Sequence, residues 1–186
     1  MAKVVIAYHS GFGHTDVMAQ RVAEGVKAAG VEVSLRKVDV LDDALWAELA
    51  AADGIIFGTP TYMANVSAPF KAFMDASSKP WFGQLWKDKL AGGFTNSGGL
   101  SGDKLGTLQA LVHFAAQHSM IWVSQGVWPS AYSNDGKGSN RLSSWLGAMA
   151  QSGNSPAGVD NPNAEDQASA RLFGERFGVA VMRWSR

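Results

Sequence analysis

The sequence predicts an α/β fold, a doubly wound parallel sheet with helices on both faces. Two observations point there. Short continuous apolar runs recur along the chain, as they do in strands buried on both faces. Between them lie segments with apolar residues at helical spacing, and this strand–helix alternation repeats about four times. With 186 residues the chain has the length of one domain, expected to span 1–186.

Lys3 to Tyr8 is the first buried run. Met18, Val22 and Val26 then recur at four-residue spacing with Arg21, Glu24 and Lys27 opposite, an amphipathic helix that Gly30 is placed to stop. Glu32 to Val38 alternates and reads as a second strand, and Leu41, Leu45 and Leu49 mark a short helix. Ile55 to Phe57 is a third strand. Phe70, Phe73 and Met74 define the next helix, with Ser67 as candidate cap and Pro69 in its first turn. Leu90 to Thr95 is a strand interrupted by Gly92 and Gly93. Leu105, Leu108, Leu111, Val112 and Ala115 make a clear helix, and Met120 to Val123 a fifth strand. From Gln125 to Asn163 the pattern lapses into Gly, Ser, Asn and Pro. Trp128, Tyr132, Trp145 and Leu146 argue against disorder there, so this stretch reads as a cofactor lid or subunit contact. Phe173, Phe177 and Val181 place a closing helix over Ala164 to Trp184.

Composition narrows the function classes. Hydrophobic residues at 46% against 17% charged support a sizeable core. Sixteen Lys and Arg balance sixteen Asp and Glu, which gives no general attraction to nucleic acid or an anionic membrane. The lack of Cys removes thiol catalysis and Cys-ligated metal sites. No apolar run approaches the roughly 20 residues of a membrane span. Met1-Ala2-Lys3 leads straight into the first strand without a separate signal peptide. A cytoplasmic protein without nucleic-acid or membrane partners is expected.

In open parallel sheets, ligands sit beyond the carboxyl ends of the strands. The segments there have unusual composition. Ser10, Gly11, Phe12, Gly13, His14 and Thr15 form a small-residue loop at a helix start, where N–H groups, helix dipole and hydroxyls can hold a phosphate. It matches neither the Walker pattern nor Gly-x-Gly-x-x-Gly. It contains no Lys or Arg, which suits a permanently bound monoester better than a triphosphate being cleaved. Gly58 to Asn65, containing Pro60, Thr61, Tyr62 and Met63, follows the third strand. Thr95, Asn96, Ser97, Gly98, Gly99 and Leu100 follow the fourth. Both offer hydroxyls, amides and backbone with few charges, walls that suit a flat polar heterocycle. His118 precedes the fifth strand. His9 with His14, and His113 with His118, lack accompanying carboxylates, so no metal site is expected. No Gly-x-Ser-x-Gly elbow supports a serine hydrolase.

On Ser10–Thr15, Ile56–Thr61, Asn65–Ser67, Lys89–Ala91, His118–Met120 and Glu165–Glu175, the chain resembles flavodoxin-like FMN proteins. Within these it is most similar to the WrbA family of NAD(P)H:quinone oxidoreductases. The resemblance covers nearly the whole chain. It implies a five-stranded parallel sheet of order 2-1-3-4-5 and tightly bound FMN, with NADH or NADPH as co-substrate and a quinone as acceptor. It implies that Ser10 to Thr15 hold the FMN phosphate, that Thr61, Tyr62 and Met63 border the ribityl chain and ring, and that Thr95 to Leu100 line the ring edge. Pro60 and Asn65 belong to the same cofactor set. His118 would approach the ring as the candidate catalytic residue. Phe12 would meet the nicotinamide, and Trp81 would wall the substrate site of a neighbouring subunit. Hydride would pass from NAD(P)H through FMN to the quinone.

Three departures stand out. Tyr62 replaces the family's usual Arg. The family's extra residues between the second strand and second helix are absent. Ser144-Trp145-Leu146-Gly147-Ala148 replaces Ser-Pro-Tyr-Gly-Ala. The aromatics Trp81, Phe82, Trp86, Trp128 and Trp145 predict self-association, as a homotetramer or homodimer. Two rival readings are a flavodoxin-type electron carrier and an NAD(P)H-dependent FMN, nitro or azo reductase. The zero net charge lacks the acidic steering face of small flavodoxins.

Overall fold

The computed structural model describes residues 1–132 and 139–185. Strand β1 (Lys3–Tyr8) leads into α1 (His14–Ala28), β2 (Glu32–Lys37) and α2 (Asp43–Ala51). Strand β3 (Gly54–Tyr62) turns into β4 (Asn65–Val66), followed by α3 (Ala68–Ala76) and α4 (Ser78–Phe82). Next come β5 (Leu90–Ser97), α5 (Lys104–Gln117), β6 (Ile121–Trp122), β7 (Ala148–Gln151) and α6 (Ala164–Trp184).

The doubly wound parallel arrangement is present, with the sheet ordered β2-β1-β3-β5-β6. Among the described residues seven strands make it up, where five were expected. The edge position beyond β5 is divided. Leu90 and Ala91 pair with Ile121 and Trp122 of β6, while Phe94 to Ser97 pair with Ala148 to Gln151 of β7. The chain leaves the edge after Trp122, runs through the aperiodic stretch and returns to finish the same edge. Residues 133–138 of that stretch lie outside the described residues. The remaining extra strand, β4, is antiparallel to β3 through Thr61↔Val66 and Tyr62↔Asn65.

Side-chain alternation along the strands feeds two cores. Val4, Ile6 and Tyr8 pack with Ile56 and Phe94 against Met18, Val22 and Val26 of α1 and Phe173, Phe177 and Val181 of α6. Val5 and Ala7 pack with Ile55 and Phe57 on the other face, against Leu45, Leu49, Phe70, Phe73 and Leu111. Helices α1 and α6 meet backbone to backbone. A Cβ on Gly25 would fall 1.9 Å from Arg171 O, and one on Gly174 would fall 2.0 Å from Val22 O.

Trp86 departs from its expected place on an association surface. It is wholly buried, between Phe57, Phe73, Phe114 and His118. Ser67 stands at the start of α3, but its hydroxyl bonds Thr59 Oγ1 at 3.1 Å rather than capping the helix. Among the described residues, no helix is long and apolar enough to cross a membrane.

Candidate active site

The carboxyl ends of β1, β3 and β5 and the start of α1 surround a cleft of about 500 Å³. That is within the usual range for a small-molecule site. Phe12, His14 and Thr15 line it from the first loop. Pro60, Thr61 and Tyr62 line it from the end of β3, Asn96, Ser97 and Gly98 from β5, and Ser152 to Pro156 from beyond β7. No Lys, Arg, Asp or Glu is among these lining residues.

The first loop folds as its small residues allow. Gly13 has φ 89°, a left-handed conformation that suits glycine, and its Cβ position lies 3.0 Å from Ala157 Cβ. Ser10 Oγ accepts from Asp16 N at 3.1 Å, so this hydroxyl holds the loop to the first turn of α1. The Thr15 hydroxyl donates to Asn96 Oδ1 at 2.7 Å, and Asn96 Nδ2 donates to Ser152 Oγ at 2.9 Å. Three distant segments are thereby joined along the cleft floor. His14 Nε2 lies 3.0 Å from Ser155 O, which fastens the late stretch over the loop. His9, just ahead of the loop, contacts Asp39 Oδ1 through Nδ1 at 2.6 Å.

The β3–β4 hairpin sets the opposite wall. Met63 and Ala64, at φ 47° and 62°, form its two-residue turn. Such a turn needs positive φ at both central positions. It leaves Met63 wholly exposed and holds Tyr62 over the first loop, with the phenol 3.1 Å from where a Cβ on Gly11 would stand. Beneath, Thr61 Oγ1 bonds Thr95 Oγ1 and Thr107 Oγ1, both at 2.8 Å.

Several expected site residues lie elsewhere. Thr95 is fully buried and bonds Thr59 O, so it supports the wall without lining it. Leu100 lines a neighbouring groove with Leu105 and Trp145. Asn65, Trp81 and His118 share a third groove along α3 and α5. His118 is thus not brought to the cleft of its own chain. It follows α5, near the end of the sheet where Leu90 pairs with Ile121. Asn96, on the cleft, is six residues along β5, roughly 20 Å at strand rise. The His118 ring packs 4.2 Å from Trp86 and 4.9 Å from Phe114. The Ser77 hydroxyl donates to Met74 O, so at 2.9 Å His118 Nε2 acts as the donor to Ser77 Oγ, leaving Nδ1 bare. Burial pulls the His118 pKa down to about 4, which keeps it neutral at pH 7.

Two contributors escaped sequence reasoning. Ser152 to Pro156 close the cleft from a stretch with no periodicity to reveal it. Lys104 is completely buried, with Nζ donating to Gly99 O at 2.7 Å, Leu100 O at 3.0 Å and Ser97 Oγ at 3.1 Å. A lone lysine opening a helix carries no signal of burial.

Comparison with known proteins agrees with this geometry. The family model described as NADPH-dependent FMN reductase matches residues 4–135. The chain is 44% identical over 153 residues to flavodoxin FldP of Pseudomonas aeruginosa (strain UCBPP-PA14), covering 82% of each. It is 31% identical to an NAD(P)H dehydrogenase (quinone) of Geotalea uraniireducens (strain Rf4), covering 99% of this chain and 100% of that one. The crystal structure of a flavodoxin, WrbA-like protein from Agrobacterium tumefaciens superposes with a TM-score of 0.78 at 42% identity, over 98% of this chain and 99% of that one.

Proposed function

The chain belongs to the NADPH-dependent FMN reductase family, and on that premise we propose that it is an NAD(P)H:quinone oxidoreductase. FMN is the cofactor, with a nicotinamide coenzyme as co-substrate. The observation that carries the proposal is the uncharged cleft with an exposed aromatic at its mouth. Phe12 lines the cleft yet is 78% exposed, so it is free to meet a visiting flat molecule.

The residues fit FMN. The Gly11–Gly13 curl, the backbone N–H groups at the start of α1 and the Ser10 hydroxyl would hold the phosphate by neutral donors, with Thr15 tying that turn to Asn96. Pro60, Thr61 and Tyr62 would flank the ribityl chain, Asn96 to Gly98 would line the ring edge, and Ser152 to Pro156, fastened to His14, would close over the first loop. Bound FMN supplies acceptance and return of a hydride. The chain's own part is to orient the cofactor, narrow the approach to one face and keep that face clear. None of the lining residues has to give or take a proton for this.

Trp81 would serve the cleft of a neighbouring copy, with the buried His118 behind it. The support is that they border one groove, with Trp81 packed on the 79% exposed Phe82 at 4.6 Å. A tetramer or dimer follows from this reading. Light scattering at micromolar concentration tests it, and a monomer rejects it.

A flavodoxin-type carrier is the second reading, favoured by the 44% identity to flavodoxin FldP. Steady-state rates on FMN-loaded protein with NADH, NADPH and a quinone panel decide. Turnover with a quinone supports the enzyme. Reduction by a partner protein alone, without NAD(P)H oxidation, supports the carrier.

A further inference from the structure

We infer that Lys104 is a positioning residue for the ring end of the FMN site: its buried ammonium draws the carbonyls of Gly99 and Leu100 inward and sets a positive charge directly behind the cleft wall at Ser97. The inference rests on the reading of the cleft as an FMN site.

The geometry is specific. Three acceptors, Ser97 Oγ, Gly99 O and Leu100 O, meet the three N–H donors of one ammonium. The peptides concerned are trans, since the one cis bond among the described residues is Asn161–Pro162. In a trans peptide, C=O and N–H point in opposite directions. With the two carbonyls drawn to the lysine, the N–H groups of Leu100 and Ser101 face outward. Ser97 and Gly98 line the cleft, while Leu100 and Ser101 line the adjoining groove. Gly98 is held from the other side, where Gln151 Nε2 donates to its carbonyl at 3.2 Å.

The charge is not cancelled locally. Asp166 on α6 is the buried carboxylate that acts on Lys104, but its Oδ2 accepts from Arg141 Nη2 at 2.8 Å and from Gln151 N at 2.7 Å. Asp103, next to the lysine in the chain, is exposed, and Glu165 stands 3.8 Å from Arg141. Among the described residues, no carboxylate lies within ion-pair distance of the Lys104 ammonium, while both Asp166 and Glu165 are engaged by Arg141. An apolar side chain of the same length would fill the space without the cost of desolvating a charge. What the ammonium adds is charge and directed donors.

Bound FMN would supply acceptance of a hydride, two electrons and one proton from NAD(P)H, which would leave its ring one negative charge richer and the coenzyme as NAD(P)+. A fixed positive charge behind Ser97 favours that state, as preorganised charge at a developing anion does. Burial lowers the Lys104 pKa to about 8, with Asp166 raising it and Arg141 lowering it further. The lysine is therefore still mostly charged at neutral pH and loses its proton just above it.

The test compares wild type, Lys104→Met and Lys104→Gln as FMN-loaded proteins. The two-electron midpoint potential is measured against redox dyes from pH 6.5 to 9.5. Both variants should shift the redox equilibrium at least tenfold toward oxidised FMN, about 30 mV for a two-electron couple. The wild-type potential should also fall more steeply above pH 8 and approach the variants, which lack that bend. Wild-type potential in either variant, or parallel pH curves, overturns the role of Lys104. FMN titration by fluorescence quenching separates the two failures. If wild type does not bind FMN, the cofactor reading falls and this inference with it. If it binds FMN and the potentials do not move, only the inference falls.

Discussion

The Thr15 hydroxyl donates to Asn96 Oδ1 across 2.7 Å, joining the first turn of α1 to the carboxyl end of β5 although the two residues are 81 apart in the chain. Both are almost wholly buried. Replacing Thr15 by Val keeps the shape and leaves Asn96 Oδ1 without its donor. An unsatisfied buried acceptor costs about 1–3 kcal/mol, so urea unfolding of the FMN-free protein should show a loss of that size. FMN affinity should fall about tenfold, because the same hydroxyl borders the proposed phosphate site. Unchanged affinity with lowered stability would leave Thr15 a structural link alone.

Phe12 gives the opposite pattern. Its ring is left 78% exposed on the cleft. Phe12→Ala should change stability by less than about 0.5 kcal/mol, as surface substitutions do. Aromatic stacking is worth roughly 0.5–1.5 kcal/mol beyond burial, so KM for the nicotinamide coenzyme should rise several-fold while FMN stays bound. Loss of FMN would move Phe12 from the coenzyme to the cofactor.

The α1–α6 contact depends on a missing methyl group. Gly174→Ala puts a Cβ 2.0 Å from Val22 O, closer than any relaxed contact, so two helices must separate. Overpacking of this kind costs about 1–3 kcal/mol. Thermal melts should show it, together with weaker FMN binding if the shift reaches the first turn of α1. Gly30→Ala, with no atom within 4 Å of its Cβ position but φ 79°, separates backbone strain from crowding.

The strands and long helices were legible because burial on two faces leaves continuous apolar runs, and one-sided burial leaves a helical stripe. Ala164 to Trp184 was readable in full for that reason. The Met63–Ala64 turn was not, since turns of its type are ordinarily marked by Asn or Gly. Trp86 sits one residue before Lys87, Asp88 and Lys89, a surface-like context that concealed a core residue. The cleft's first three walls were readable from small and hydroxylated residues placed after strands. Its fourth wall depends on where the aperiodic stretch returns to β5, a long-range event without local pattern.

His118 ties the aromatic core to pH. Its ring lies against Trp86 and Phe114 with Nδ1 unpartnered, and burial brings the folded pKa to about 4 against an ordinary 6.5. Between those values the unfolded chain binds a proton that the folded protein refuses, so stability rises with pH across this window. The contribution is fully present above pH 6.5 and is lost as pH falls toward 4. A shift of this size corresponds to about 3 kcal/mol. His118→Phe keeps a flat ring between Trp86 and Phe114, and Ser77 keeps its bond to Met74 O. Urea unfolding at pH 7, 6, 5 and 4.5 should show a steeper decline in wild type than in the variant. Parallel declines would mean that His118 is protonated within the fold, through a rearrangement that gives Nδ1 an acceptor.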